Sequence, residues 1–203
     1  MSNSVEFYFD YGSPSSYLAW TQLPRICEQY NAELVYKPML LGGVFHETGN
    51  ASPITIKAKG DWMGQDLARF ARRYSVPYRM NPFFMVNTLP IMRGVFWARR
   101  EGVFDTYNRA VFHAMWVDGV DLSDPKEIGR VVSEAGLDAA ALGEAIQQPD
   151  IKKELIEATN EATTRGVFGA PTFFVAGEMH FGQDRLDWVA EALSRDRATE
   201  TVG

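Results

Sequence analysis

Residues 7–20 read Phe7-Tyr8-Phe9-Asp10-Tyr11-Gly12-Ser13-Pro14-Ser15-Ser16-Tyr17-Leu18-Ala19-Trp20. An aromatic-rich run passes through a glycine into a segment whose apolar residues recur at helical spacing. Ser13 has the short hydroxyl side chain that caps a helix. Pro14 has the fixed φ and the missing N–H that suit a first helical position. A strand therefore gives way to a helix at Ser13. In redox proteins such a junction often carries Cys-x-x-Cys. Here it carries Ser-Pro-Ser-Ser, so chemistry at this address falls to a hydroxyl.

The flanking sequence extends the pattern. Residues 5–10 read as a buried strand, and 14–30 as a helix that Pro24 is expected to bend. Residues 33–37 read as a second strand closed by Pro38. Strand, helix and strand in so few residues make a βαβ unit with a parallel pair and a right-handed crossover. Residues 40–59, LLGGVFHETGNASPITIKAK, are punctuated by Gly42, Gly43, Gly49, Asn50 and Pro53 and read as a loop. From 61 to 165 the pattern is helical throughout. Trp62, Met63, Leu67, Phe70, Ala71 and Tyr74 form one apolar stripe, and Phe104, Tyr107, Val111, Ala114 and Met115 another. Asp124-Pro125-Lys126-Glu127 has the form of a capping box. Asp138 can cap a helix over 139–148, and a helix over 151–165 stops at Gly166. Residues 172–176 and 179–181 flank Gly177 as a hairpin, and Asp184 is placed to cap a closing helix over 185–195.

The order βαβ, helical block, ββα predicts an α/β thioredoxin fold with a large all-helical domain inserted after the second strand. The segments expected are 1–58 for the first thioredoxin-like half, 59–166 for the insertion and 167–203 for the second half. In Gly169-Ala170-Pro171-Thr172 a proline stands directly before the third strand, facing the start of the first helix. Beside the Ser-Pro helix start, that proline is expected to be cis.

The 203 residues carry a formal net charge of −6, with 20 Lys and Arg against 26 Asp and Glu. No global basic field recruits nucleic acid. No apolar run approaches the roughly 20 residues that span a bilayer, and no basic, apolar leader opens the chain. The single cysteine, Cys27, admits no intrachain disulfide and fits a reducing compartment, so a soluble cytoplasmic protein is expected. One cysteine also cannot cycle a dithiol, which excludes a thiol–disulfide oxidoreductase. No His, Cys or Glu cluster has metal-ligand spacing, so no metal is expected. Of the three histidines, His113 lies on an apolar helix face and His180 in a strand. His46, in the glycine-rich stretch, is the one placed to approach Ser13.

FDYGSPSSYLA, LLGGVFHETGN, DLARFARRYSVPY and GVFGAPTFFV followed by FGQDRL resemble, in order and over nearly the whole chain, the 2-hydroxychromene-2-carboxylate isomerases. More distantly they resemble the kappa-class glutathione transferases; both groups lie in the DsbA-like branch of the thioredoxin superfamily. The resemblance implies glutathione as cofactor and Ser13 as the catalytic residue. It implies backbone pairing of the tripeptide at Ala170, before Pro171, a γ-glutamyl contact at the Gly182-Gln183-Asp184-Arg185 turn, and cofactor contacts from Pro171 and Phe181. From the kappa relatives it implies contacts from Asn50 and Lys59. On residue type alone, Asn50 is equally a turn residue and Lys59 a solvated surface lysine. The implied reaction interconverts 2-hydroxychromene-2-carboxylate and trans-o-hydroxybenzylidenepyruvate: sulfur adds to an activated C=C, the carbon–carbon bond rotates, and elimination returns the cofactor. The implied partners are a small aromatic 2-oxo acid or chromene carboxylate and a second copy of the chain in a homodimer.

Two departures bear on the substrate. His46 stands where kappa-type sequences carry lysine, and polar substrate contacts found near Pro53 and Ile54 in the naphthalene-pathway enzymes are missing. Tyr11, Trp62, Phe83, Phe84 and Trp97 are candidates to line an apolar acceptor pocket, with His46, Tyr11 and Trp62 as substrate contacts, although aromatics at such spacing also build cores. Two other functions remain open: a kappa-like transferase acting on a different electrophile, and a catalytically silent module that binds glutathione or a peptide.

Overall fold

The computed structural model describes residues 3–200. Strand β1 (Ser4–Phe9) leads through the glycine turn into α1 (Pro14–Tyr30), and β2 (Glu33–Pro38) follows. Helices α2 (Leu41–Thr48), α3 (Lys57–Tyr74), α4 (Leu89–Arg100), α5 (Phe104–His113), α6 (Pro125–Glu134), α7 (Ala139–Ala145) and α8 (Pro149–Thr164) come next. Strands β3 (Thr172–Val175) and β4 (Glu178–Phe181) and helix α9 (Leu186–Glu200) close the chain. The outer ends of the two expected thioredoxin-like segments, residues 1–2 and 201–203, lie outside the described residues.

The sheet order is β2-β1-β3-β4. β1 and β2 are parallel with Phe7 beside Tyr36, β1 and β3 antiparallel with Phe7 beside Phe173, and β3 and β4 antiparallel with Phe173 beside His180. The hairpin turn places Ala176 and Gly177 at φ 48° and 84°, the left-handed pair that matches strand twist. This is the thioredoxin arrangement with a helical insertion after β2, as the sequence predicts.

Alternation along β1 divides the interior. Val5, Phe7 and Phe9 join Phe173 and Val175 on one face, where α1, α5 and α9 cover them. Tyr8 and Phe174 face the other side, with Met39, Val44, Ala162 and Val167. The inserted helices share the first core: the ring of Phe112 of α5 packs tilted at 5.9 Å from Phe9 and edge-to-face at 4.8 Å from Tyr11. The indole of Trp116 donates to the Tyr11 carbonyl at 2.7 Å. Hydrophobic burial on this scale, roughly 25 cal/mol per Å² of apolar surface, makes sheet and insertion mutually dependent.

Four local expectations are corrected. Residues 41–48, read as loop, form α2; its N-cap Leu40 offers no side-chain acceptor, and the amide of Leu41 is satisfied instead by the Asp10 carboxylate, 31 residues away. Helix is not continuous from 61 to 165: residues 75–88 are irregular, between Ser75 in the left-handed region and the start of α4. Asp124 caps α6 by accepting from the Lys126 amide at 2.8 Å, but Glu127 pairs with Arg130 rather than completing a reciprocal box. Asp184 sits inside a short 3₁₀ turn, Gln183–Arg185, with its carboxylate on Arg185, and not at a cap of α9. No helix among the described residues is long and apolar enough to cross a membrane.

Helices α4 and α5 cross where Gly94 faces Tyr107, whose hydroxyl donates to the Ile91 carbonyl at 2.7 Å. A Cβ at Gly94 would overlap that hydroxyl. Gly94→Ala is therefore expected to lower stability by about 1–3 kcal/mol despite alanine's better helix propensity, read as a lower urea midpoint at unchanged slope.

Candidate active site

The first turn of α1 is built by local chemistry. Ser13 has extended backbone angles, and its Oγ accepts from the Ser16 amide at 3.1 Å. The Tyr17 amide bonds to the Ser13 carbonyl, and Pro14 has no N–H. The amide of Ser15 is thus the one first-turn N–H left without an acceptor among the described residues. The Ser13 hydroxyl hydrogen is directed across the fold, Oγ donating to the Ala170 carbonyl at 3.0 Å. Ala170 precedes Pro171 through a cis peptide, and the Phe84–Met85 peptide is also cis.

Ser13 lies in a cavity of about 660 Å³. Ala170 and Phe181 border it on one side, Asn50 and Lys59 on another, and Phe84 on a third. Asn50 is already engaged, its Nδ2 donating to the Phe168 carbonyl and its Oδ1 accepting from the Ala51 amide, both at 2.8 Å. Lys59, exposed on α3, has no ion-pair partner among the described residues. The rings of Phe168 and Phe181 lie 4.6 Å apart at the rim and are partly exposed.

Below Ser13 sits Asp10, 1% exposed. Its Oδ1 accepts from the Gly12 amide at 2.8 Å; its Oδ2 accepts from the Leu41 amide at 2.8 Å and the Thr88 hydroxyl at 3.1 Å. Burial holds this carboxyl above the usual carboxylate range, opposed by those three donors. Helices α1, α2 and α4 all begin at the cavity, through Pro14, Leu41 and Leu89. Each directs the positive end of its dipole there.

The other expected residues are distributed differently. Tyr11 is fully buried in the core, its ring edge-on to Phe112, so it does not line an acceptor pocket. Trp62 is 60% exposed on the outside of α3, and its neighbour Met63 takes the place on the cavity wall. Phe83 is exposed and Trp97 buried, while Phe84 is in the wall. His46 opens onto a separate cleft of about 250 Å³ with Arg93 and Lys152, divided from the Ser13 cavity by Leu40 and Leu89. Gly182 (φ 97°) donates its amide to the Pro171 carbonyl at 3.0 Å, tying its turn to the rim. Gln183 is buried, its Oε1 accepting from Tyr74 at 2.9 Å. Asp184 borders another cavity with Arg25 and Arg73. Burial pushes the Cys27 thiol up to about 11, so it is unreactive in α1.

Sequence reasoning missed Asp10, Phe45, Met63, Met85 and Thr88. Asp10 had a signal, an acid at the end of a buried strand three residues before the helix cap. Phe45 comes from α2, which reads as a loop, Met63 from the apolar stripe of α3, which reads as core, and Met85 and Thr88 from the irregular stretch before α4.

The profile of the DSBA-like thioredoxin domain matches residues 4–194. The chain is 32% identical to a 2-hydroxychromene-2-carboxylate isomerase of Sphingobium xenophagum, over 95% of this chain and 99% of that protein. It is 28% identical to glutathione S-transferase kappa 1 of Homo sapiens, over 95% and 92%. Superposition on a solved 2-hydroxychromene-2-carboxylate isomerase gives a TM-score of 0.87 at 30% identity, covering 98% of this chain and 99% of that one. A probable DsbA oxidoreductase of Streptomyces coelicolor shares the fold at 17% identity and a TM-score of 0.76, over 95% and 89%.

Ser13 contributes a cap and a cross-fold hydrogen bond even without ligand. Ser13→Ala is expected to lower the stability of the ligand-free protein by about 1 kcal/mol, and Ser13→Gly by less at the cap, measured by urea unfolding.

Proposed function

Because the chain belongs to the DSBA-like thioredoxin family and to the 2-hydroxychromene-2-carboxylate isomerases, we propose that it is a glutathione-dependent isomerase. Its substrates are 2-hydroxychromene-2-carboxylate and trans-o-hydroxybenzylidenepyruvate, and Ser13 stabilises the cofactor's thiolate. One observation carries the reading: a hydroxyl at the N-terminus of α1, bonded to the carbonyl before Pro171, within a cavity that also presents Asn50 and Lys59.

The residues fit a glutathione-sized, anionic, extended peptide. The cavity is within the range of small-ligand sites, and the lysine without a partner suits a carboxylate. The backbone at Ala170 offers strand-like pairing. Gly182, Gln183 and Asp184 enter as γ-glutamyl contacts through the resemblance alone: the Gly182 amide is tied to the Pro171 carbonyl, while the Gln183 side chain is held by Tyr74 and Asp184 borders another cavity.

Glutathione, when bound, supplies a thiol of pKa about 8.5 whose anion can add to an activated double bond and leave again. In the free protein the Ser13 hydrogen is occupied by Ala170. Were the Ala170 carbonyl to pair with a ligand N–H, the Ser13 hydroxyl would be free to rotate and donate its hydrogen to the sulfur. The Ser15 amide and the positive end of α1 add to it. Such charge-assisted bonds contribute about 1.5–3 kcal/mol, enough to lower a thiol pKa by one to two units. The wall formed by Phe84 and Met63 keeps the acceptor's ring out of water. As part of the same proposal, the protein acts as a cytoplasmic homodimer.

Spectral interconversion of the two substrates, with and without glutathione, tests this. Turnover is expected only with the tripeptide, and Ser13→Ala should reduce it about 10–100-fold with glutathione affinity changed far less. Conjugation of a chromophoric electrophile without interconversion would mark a kappa-like transferase instead. Binding with neither activity would mark a silent module, and full turnover in Ser13→Ala would remove the serine from the mechanism.

A further inference from the structure

The start of α2 and the cap of α4 share an oddity. Leu40, before α2, has no capping side chain, and Thr88, the N-cap of α4, does not cap with its hydroxyl. The first amide of α4, Leu89, turns to Asn87 Oδ1, but Asp10 accepts from both places: Leu41 donates its amide and Thr88 its hydroxyl to the same oxygen, Oδ2. The other oxygen takes the amide of Gly12, next to Ser13. The Asp10 backbone carbonyl accepts from the Ser13 amide at 3.0 Å, so Ser13 is held by this residue through the main chain as well.

We propose that Asp10 is a positioning residue for the reaction: one buried carboxyl fastens the turn before α1, the start of α2 and the cap of α4 together, fixing where the Ser13 hydroxyl and the three helix ends point. This rests on the reading of Ser13 given above. Two independent features support it. The clamp is closely packed, since a Cβ on Gly12 would lie 3.0 Å from Thr88 Cγ2 and 3.3 Å from Asp10 Oδ1. It also joins elements that local sequence does not hold together, at separations of 31 and 78 residues. A carboxyl accepting three hydrogen bonds in the interior is costly to replace, because an amide side chain can serve only part of the set and turns a donor toward another donor.

The test compares Asp10→Asn, Thr88→Val and Thr88→Ser, at temperatures where each is folded, by steady-state kinetics and by amide hydrogen exchange on the glutathione-free protein. Asp10→Asn and Thr88→Val should lower kcat about tenfold or more with KM for glutathione within about twofold, the pattern of misplaced reacting groups. Thr88→Ser, which keeps the donor, should restore kcat. Exchange at the Leu41 and Ser16 amides should quicken in Asp10→Asn and Thr88→Val, because Ser16 reports where Ser13 Oγ sits. A merely structural Asp10 would lower the melting temperature and leave kcat per folded molecule and Ser16 exchange unchanged; that result overturns the inference. Equal losses in Thr88→Ser and Thr88→Val would also overturn it. If instead Ser13→Ala keeps full turnover, the reading of Ser13 has failed; loss in Ser13→Ala with Asp10→Asn intact refutes the positioning role alone. Should Asp10→Asn prove too unstable to study, the two Thr88 variants decide.

Discussion

The hydrogen bond from the Ser13 hydroxyl to the Ala170 carbonyl spans 157 residues of chain and joins the two halves of the fold at the cavity. One partner is the N-cap of α1, set by β1 and its glycine turn. The other, two residues before β3 and joined to it through cis-Pro171, is set by the antiparallel pairing of β3 with β1. The first half supplies the donor and the second the carbonyl that orients it. In the free protein the hydroxyl ties the halves together; in the function proposed above it would turn to an anion once a ligand strand took its acceptor. Exchange of one acceptor for another costs little net hydrogen-bond energy, which lets a structural contact become a functional one.

Around that bond the electrostatics are arranged by backbone rather than by charged side chains. Three helices begin at the cavity, and Lys59 is its one cation among the described residues. The acid among them, Asp10, is occupied by two amides and a hydroxyl, so its lone pairs are spent on structure. Tyr11, between Asp10 and Ser13 in sequence, points the opposite way into the shared core, and its carbonyl receives the Trp116 indole. The strand's alternation thus puts an anchor in the core next to the chemistry, and the inserted helices hold the loop from behind. Such burial gives the rigidity that preorganised donors need.

The parts of this structure legible in the sequence are those decided locally. Ser13-Pro14 reads as a helix start because a cap and a proline act within one turn, and the strand and hairpin runs follow from period-two alternation. Pro171 is found cis where its neighbours led it to be expected. What sequence did not disclose is decided at a distance. Helix α2 looks like a loop, since two glycines open it and its first amide is capped by Asp10, just past β1. Tyr11 and Trp62 are both aromatic residues beside the site, but only packing determines that one turns into the core and the other to solvent. His46 stands in the right stretch, but once that stretch is a helix it turns to the opposite side of Leu40.

The central claim is that a hydroxyl and a helix end keep a borrowed sulfur ionised, and ultraviolet titration of the bound tripeptide's thiolate measures it most directly. The account predicts a midpoint about one to two units below that of the free thiol in the wild-type protein, moving back toward the free value in Ser13→Ala. A midpoint equal to that of free glutathione in the fully bound wild-type complex would contradict it.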